Sequence, residues 1–362
     1  MIFVCGRRKS PRMRRRIAAW LCVGVLAVAW GGWRLLSAEN TNNTEKVSSG
    51  LTSYQEEALA PAPTASPQAD SKDPPAPSGQ SLEESDVFRI LDAATGKILQ
   101  VSGREFLYGA VVTEMTLYMH EEALKAQAAA CYSFYSWTRA QHTQDEYDFT
   151  CDTANWLVYV PREVMKEKWG DAYEDYMAIL DRVVDAVYGQ VLTYNGEAAC
   201  TSYFAISSGQ TENSEDVWGG EIPYLTAVAS PGDSLAGGYQ TSASFTPQEL
   251  AQALGCTASD DGSQMVEILE RTASGSVTRV RIGENEYDGG EVRTALGLRS
   301  ANFSTAWDGE KIVFTVKGWG HGVGMSQAGA DYLAQMGFTW QEILDWYYPG
   351  TTLSPAEDLL AG

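Results

Sequence analysis

Glu114 lies in the stretch YGAVVTEM (108–115), an acidic residue flanked by Val111, Val112 and Met115. A carboxyl group in apolar surroundings has a raised pKa, which a general acid needs near neutral pH. Taken alone, the position reads more readily as a solvated loop glutamate. A second stretch, GWGHGVGMSQAGA (318–330), places five glycines around His321. Glycine gives up the most conformational entropy on folding, so this density marks backbone that goes where side chains cannot fit. The stretch lacks the Lys-Ser/Thr of a phosphate-binding loop. Ser326 with His321 lacks the GxSxG frame and an ordered third partner for nucleophilic catalysis.

Two further stretches carry reactive or sugar-compatible groups. SSGQTENSEDVWG (207–219) offers the hydroxyls of Ser207, Ser208 and Thr211, the amide of Asn213 and the indole of Trp218. Pyranose rings stack on indole and their hydroxyls need donors and acceptors, although such a composition also suits a capped turn. HTQDEYDFTCDTANW (142–156) sets His142 and Cys151 near Asp145, Asp148 and Asp152. Two soft ligands at this spacing fall short of a structural zinc set.

The elements that must position these groups follow from periodicity. VFRILDAATGKILQVSG (87–103) alternates about ATGK and predicts a hairpin leading into REFLYGAVVTEM. With its Val111–Val112 pair, the latter reads as an apolar strand, which puts Glu114 at a strand–helix junction. From His120 to His142, Leu124, Gln127, Ala128, Cys131, Phe134 and Tyr135 recur at helical spacing, and Glu121 and Glu122 favour the first turn. Residues 161–189 predict one or two helices stopped by Gly189, and QVLTYNGEAAC (190–200) a hairpin turned by Asn195-Gly196. Short strands continue to Phe314, with helices near TPQELAQAL (246–254) and GEVRTALGL (290–298). Two short helices, in MSQAGADYLAQMG (325–337) and TWQEILDWYYPG (339–350), close the chain. Without a βαβ rhythm the fold class is α+β, with mixed helices and short antiparallel strands around a substrate cleft.

Outside that body, seven Lys/Arg precede Ile17–Trp33, a run without charge, and only Arg34 follows directly. This predicts a cytoplasmic basic tail (1–16), a transmembrane signal anchor (17–36) and export of the remainder. A cleaved signal peptide, cut near Ala38, is the rival reading; the apolar stretch is long for it and Leu36 suits the −3 site poorly. Residues 37–86, rich in Pro, Ser and Ala, predict a disordered linker. A folded domain over 87–355 and a short tail at 356–362 complete the division. The part beyond residue 34 holds 18 basic and 47 acidic residues, a net charge of −29. Such a charge repels nucleic acid and anionic lipid surfaces and leaves carbohydrate open. Cys131, Cys151, Cys200 and Cys256 allow three disulfide pairings or none.

Taken together, LYGAVVTEM…EALKAQAAA, SSGQTEN…VW, EVRTALGLRSANF and GWGHGVGMSQAGA…ILDWYYPGT resemble the stage II sporulation protein D family and the related cell-wall amidase enhancers. The resemblance spans roughly residues 88–353, with the motifs in the family's order. It implies a peptidoglycan lytic transglycosylase that prefers glycan strands stripped of stem peptides, with Glu114 as catalytic acid. Ordinary glycosidases need two carboxylates. A lytic enzyme lets the 6-hydroxyl of N-acetylmuramic acid attack its own anomeric carbon, so one acid suffices. The implied glycan cleft includes Lys125 and Gln127 after the acid, then Ser207, Ser208, Thr211, Asn213 and Trp218. Gly320, His321, Gly322, Gly324, Ser326 and Gln327 complete it. The resemblance also implies action at the sporulation septum during engulfment, beside a cell-wall amidase and a membrane complex. No cofactor is required. His142 and Cys151 match part of a zinc site found in some members, whose second cysteine is replaced by Trp156. Tyr132 stands where the family commonly has arginine, and Ser208 where it has glycine. Two other functions compete: a non-catalytic partner like the amidase enhancers, and a metal-dependent hydrolase built on His142 and Cys151.

Overall fold

The computed structural model describes residues 79–259 and 261–360. The anchor at 17–36 lies outside the described residues, as does most of the linker. The helix Glu121–Gln141 forms the axis of the larger of two hydrophobic cores. Leu124, Ala128, Cys131, Tyr132 and Tyr135 are buried along it, and His120 caps it by accepting the Glu122 N–H at 3.2 Å. Helices Gly103–Glu114, Tyr173–Val187, Gln327–Gln335 and Trp340–Tyr347 pack around this axis.

The predicted hairpin forms as strands Val87–Asp92 and Lys97–Ser102. The stretch read as an apolar strand does not follow suit: residues Gly103–Glu114 are helical. Ser102 caps this helix by accepting the Glu105 N–H at 3.2 Å. Phe106, Leu107, Ala110 and Val111 then share one buried face at spacings of three to four, a periodicity that outweighs the β-branched Val pair. Phe88, Phe106 and Phe149 meet edge-on in the same core, with Phe88 and Phe106 ring centres 4.9 Å apart.

The mixed α+β class holds, with one amendment to strand direction. Most pairings are antiparallel, but Phe149–Cys151 runs parallel to Val87–Asp92 and Met325–Ser326 parallel to Tyr203–Phe204. A second core lies between the strands of residues 240–317 and the helices Pro247–Leu254 and Gly289–Leu296. Capping boxes, Thr246 with Glu249 and Asp288 with Glu291, fix both helix starts. All four cysteines among the described residues are free thiols.

Ordered structure also reaches into both flanking segments. A helix, Gly79–Ser85, occupies the end of the stretch read as linker, with Leu82 buried in the main core. The helix Ala356–Leu360, within the stretch read as a tail, packs against it.

Between them sits Asp86, wholly buried. Its carboxylate accepts the Tyr132 hydroxyl at 2.6 Å and pairs with Arg139 at 2.9 Å. Gly103 makes room for it, since a Cβ there would lie 1.7 Å from an Asp86 oxygen. Removing one partner of a buried pair leaves the other desolvated. Asp86→Ala is therefore expected to cost roughly 3–5 kcal/mol in urea unfolding. Tyr132→Phe should cost only about 1 kcal/mol, because Arg139 still neutralises the acid.

Candidate active site

Glu114 is the last residue of the Gly103–Glu114 helix. Negative charge is disfavoured there by the unpaired carbonyls of the helix end. The side chains of Gln327 and Tyr203 lie near its carboxyl and favour the charged form. The group keeps some surface exposure, yet the surrounding protein removes most of its hydration. Burial outweighs these two nearby donors and raises its pKa to about 7. No second carboxylate is among the groups that act on it.

The donors are themselves held. Gln327 Nε2 lies 3.4 Å from Gln127 Oε1, and Gln127 donates to the Cys131 thiol at 3.2 Å. That thiol reaches the Tyr203 hydroxyl at 3.3 Å, so Gln127, Cys131, Tyr203 and Gln327 ring the Glu114 carboxyl. Burial first, and the Glu114 carboxyl second, push the Cys131 thiol up to about 12, so it stays protonated and inert.

The glycine stretch makes this ring possible. Gly318, Gly320, Gly322 and Gly324 all have left-handed backbones, with φ between 80° and 122°. At Gly324 a Cβ would lie 2.0 Å from the Ser202 carbonyl oxygen, and at Gly320 2.6 Å from Phe204 Cβ. The bare backbone thus lies directly on residues 202–207, with Trp319 and Ile206 exchanging hydrogen bonds at 2.6 and 3.0 Å. His321 is clasped between Phe204 and Trp218, with ring centres 5.5 and 5.4 Å away. Its Nδ1 accepts the Val323 N–H at 3.1 Å, so the neutral ring carries its proton on Nε2. The Tyr203 carbonyl is near enough to favour a proton on the ring, but no group completes a hydrogen bond to Nε2. Burial and the nearby Arg293 charge push the imidazole down to about 3, so His321 is neutral.

Several residues read as sugar contacts have internal roles instead. The Ser207 and Ser326 hydroxyls both donate to Asp233, which is fully buried, Ser326 at 2.7 Å. Thr211 is buried and its hydroxyl accepts the Val228 N–H at 2.8 Å. Asn213 bonds to Ala227 and Asp216, and Ser208 to the Ser274 carbonyl. Lys125 pairs with Glu121 and Glu122 at 3.0 and 2.8 Å. Of the predicted set, Glu114, Gln127 and Gln327 come together, and Trp218 and His321 meet in a tilted ring contact.

The metal reading is not supported by position. His142 Nδ1 lies 2.6 Å from Asp145, whereas the buried Cys151 thiol faces Asp92 at 4.0 Å. The Trp156 indole is covered by Lys168, 3.6 Å from its ring centre. Among the described residues no three His, Cys, Asp or Glu side chains gather to hold a metal. His142 does line a cavity of about 470 Å³ with Phe134, Tyr135 and Asp145, but neither Cys151 nor Glu114 lines it.

Three residues of consequence carry no clear sequence signal. Tyr203 sits in an unremarked TSYF run, and Asp233 is distant from both serines it holds. Glu212, inside SSGQTEN, is 2% exposed, with both carboxylate oxygens lacking a well-formed hydrogen bond. Ser276 and Thr272 lie near it, and burial raises its pKa. Gly322 lets it approach, and its N–H donates to the Gly322 carbonyl at 2.7 Å.

One acid with a raised pKa thus lies among polar side chains, near the aromatic neighbours of His321 on the glycine turn. Residues 92–194 match the family model described as stage II sporulation protein. The chain is 34% identical over 292 residues to stage II sporulation protein D of Bacillus subtilis, covering 79% of this chain and 84% of that one. It is equally similar, 34% over 285 residues, to the same-named protein of Bacillus amyloliquefaciens, with 78% and 83% covered. The amidase enhancer of Bacillus subtilis is 27% identical over 301 residues, 68% of this chain and 40% of that one. The chain belongs to the stage II sporulation protein D family, a family of sporulation proteins related to an amidase enhancer.

The raised Glu114 pKa has a stability consequence with a definite sign. The acid binds its proton more tightly folded than unfolded, so its contribution is fully present below about pH 4.5 and is lost as pH rises through 7. Glu114→Gln removes that loss. Its stability relative to wild type should rise by roughly 1–3 kcal/mol between pH 4.5 and pH 8, read as a difference in thermal midpoints.

Proposed function

We propose that this protein is a membrane-anchored lytic transglycosylase that cleaves peptidoglycan between N-acetylmuramic acid and N-acetylglucosamine. The observation that carries the reading is Glu114, a carboxyl group protonated near neutrality, held by two donors and acting without a second carboxylate. In the proposed reaction Glu114 gives its proton to the bridging oxygen as the anomeric C–O bond breaks. The muramic acid 6-hydroxyl then bonds to the anomeric carbon, closing a 1,6-anhydro ring, and its proton returns to the Glu114 carboxylate. The attack is intramolecular, so positioning supplies much of the rate. Tyr203 and Gln327 orient the acid and steady the charge it briefly carries.

The setting follows from the family and the sequence together. An anchor over 17–36 would hold the domain on the extracytoplasmic side of the septal membrane, with the linker giving it reach. The glycan strands would be those stripped of stem peptides by a cell-wall amidase, and an engulfment complex would position both enzymes. No metal enters the proposed chemistry, so chelator treatment should leave the rate unchanged; loss of activity would favour the metal-hydrolase reading.

Incubating the ectodomain with denuded glycan and reading anhydro ends by mass spectrometry tests the proposal. Wild type should release them, and Glu114→Gln should bind glycan but release none. kcat/KM should fall about tenfold per pH unit above 7, as the acid loses its proton. A wild-type domain that makes no anhydro ends yet accelerates an amidase would be a non-catalytic partner, the role suggested by the amidase enhancer's name.

A further inference from the structure

The motif EVRTALGLRSANF is not used by the reaction above, yet it leads into the site. Arg293 stands in the last turn of the helix Gly289–Leu296. That helix ends at Gly297, and the following segment is pinned to the glycine turn: the Arg299 carbonyl accepts the Gly320 N–H at 2.9 Å, and Ser300 Oγ donates to the Lys317 carbonyl at 2.6 Å. Arg293 is near enough to His321 for its charge to act on the imidazole. Arg293 is half-buried, yet among the described residues it has no ion pair and no side-chain hydrogen bond. Burial lowers its pKa, and no acidic group offsets that effect.

This is an unusual economy in so acidic a chain. Other guanidiniums on the domain, such as Arg89, Arg139, Arg162 and Arg182, are paired with carboxylates. A partly buried guanidinium keeps its charge and its planar fork of donors, so an unpaired one is a ready partner for a planar anion. Phosphate is the other common partner, but an unsubstituted glycan strand carries none. The anion on a glycan stripped of peptide is the lactyl carboxylate of N-acetylmuramic acid, which is an amide wherever a stem peptide remains.

We propose that Arg293 is a specificity-determining residue that binds a carboxylate of the substrate, the free lactyl group of peptide-free muramic acid. The inference deepens the transglycosylase reading and rests on it for the identity of the glycan. It also resolves a conflict of charge. A strand bearing one carboxylate per disaccharide is repelled by a domain of strongly negative charge, so a cation within the cleft is needed to seat it. With His321 neutral, positive charge near the glycine turn comes from Arg293, Lys317 and Arg299, of which half-buried Arg293 is the one assigned to the carboxylate.

The test measures binding apart from turnover. In a Glu114→Gln background, calorimetry compares denuded glycan, the same glycan with its lactyl carboxyls converted to amides, and peptide-bearing glycan. Denuded glycan should bind at least tenfold more tightly than the other two, and Arg293→Gln should erase the difference while Arg293→Lys restores part of it. With turnover, Arg293→Gln should raise KM on denuded glycan tenfold or more and change kcat little. Equal affinity for free and amidated glycan, or equal losses on both in Arg293→Gln, overturns the assignment. Tighter, Arg293-dependent binding of peptide-bearing glycan would move the carboxylate to the stem peptide and overturn it as well. Absence of anhydro ends from wild type defeats the transglycosylase reading alone, because the binding comparison still reports on Arg293.

Discussion

Backbone lying directly on backbone is the constraint from which the site follows. Residues 318–324 run against residues 202–207 so closely that a methyl group at Gly324 would overlap the Ser202 carbonyl. Four left-handed glycines permit that path, and no side chain could follow it without strain. The contact brings Met325–Ser326 alongside Tyr203–Phe204 as a short parallel ribbon. Side chains alternate across such a ribbon, so Tyr203 is turned toward Glu114 while Phe204 covers His321. One close approach therefore sets the surroundings of both Glu114 and His321.

The proposed chemistry depends on keeping Glu114 neutral without isolating it. Burial alone would hold the proton too tightly, and a helix N-terminus would release it too easily. Burial, partly offset by the nearby Gln327 and Tyr203, places the group between those limits, at about 7. Cys131 contributes by staying a thiol, so no second negative charge arises in the ring. On the other side of the ribbon, neutral His321 and half-buried Arg293 divide the polar work differently. One offers an uncharged N–H, and the other supplies positive charge where the chain as a whole is acidic.

Tyr132 shows how a departure from a family pattern can be absorbed. At the place where arginine is common, its hydroxyl joins the buried Asp86, which Arg139 already neutralises. The result ties the long helix to residues just upstream of the first strand. At the second departure the Trp156 indole is covered by Lys168, while His142 pairs with Asp145 and the Cys151 thiol faces Asp92.

The amino-acid order alone determined the long helix, the hairpins marked by Gly96 and Asn195-Gly196, and the glycine turn. These are local matters of periodicity and turn chemistry. It could not tell that residues 103–114 are helical, because a Val pair favours a strand until Ser102 caps the turn and the buried face is counted. Nor could it tell that Ser207 and Ser326 face Asp233 rather than substrate, since that acid lies 26 and 93 residues away. Tyr203, Gln327 and Arg293 likewise acquire their meaning only when distant segments meet. Hydrogen-bond partners and desolvation are properties of the packed chain, and these decide which polar groups are consumed by the fold and which are left for a ligand.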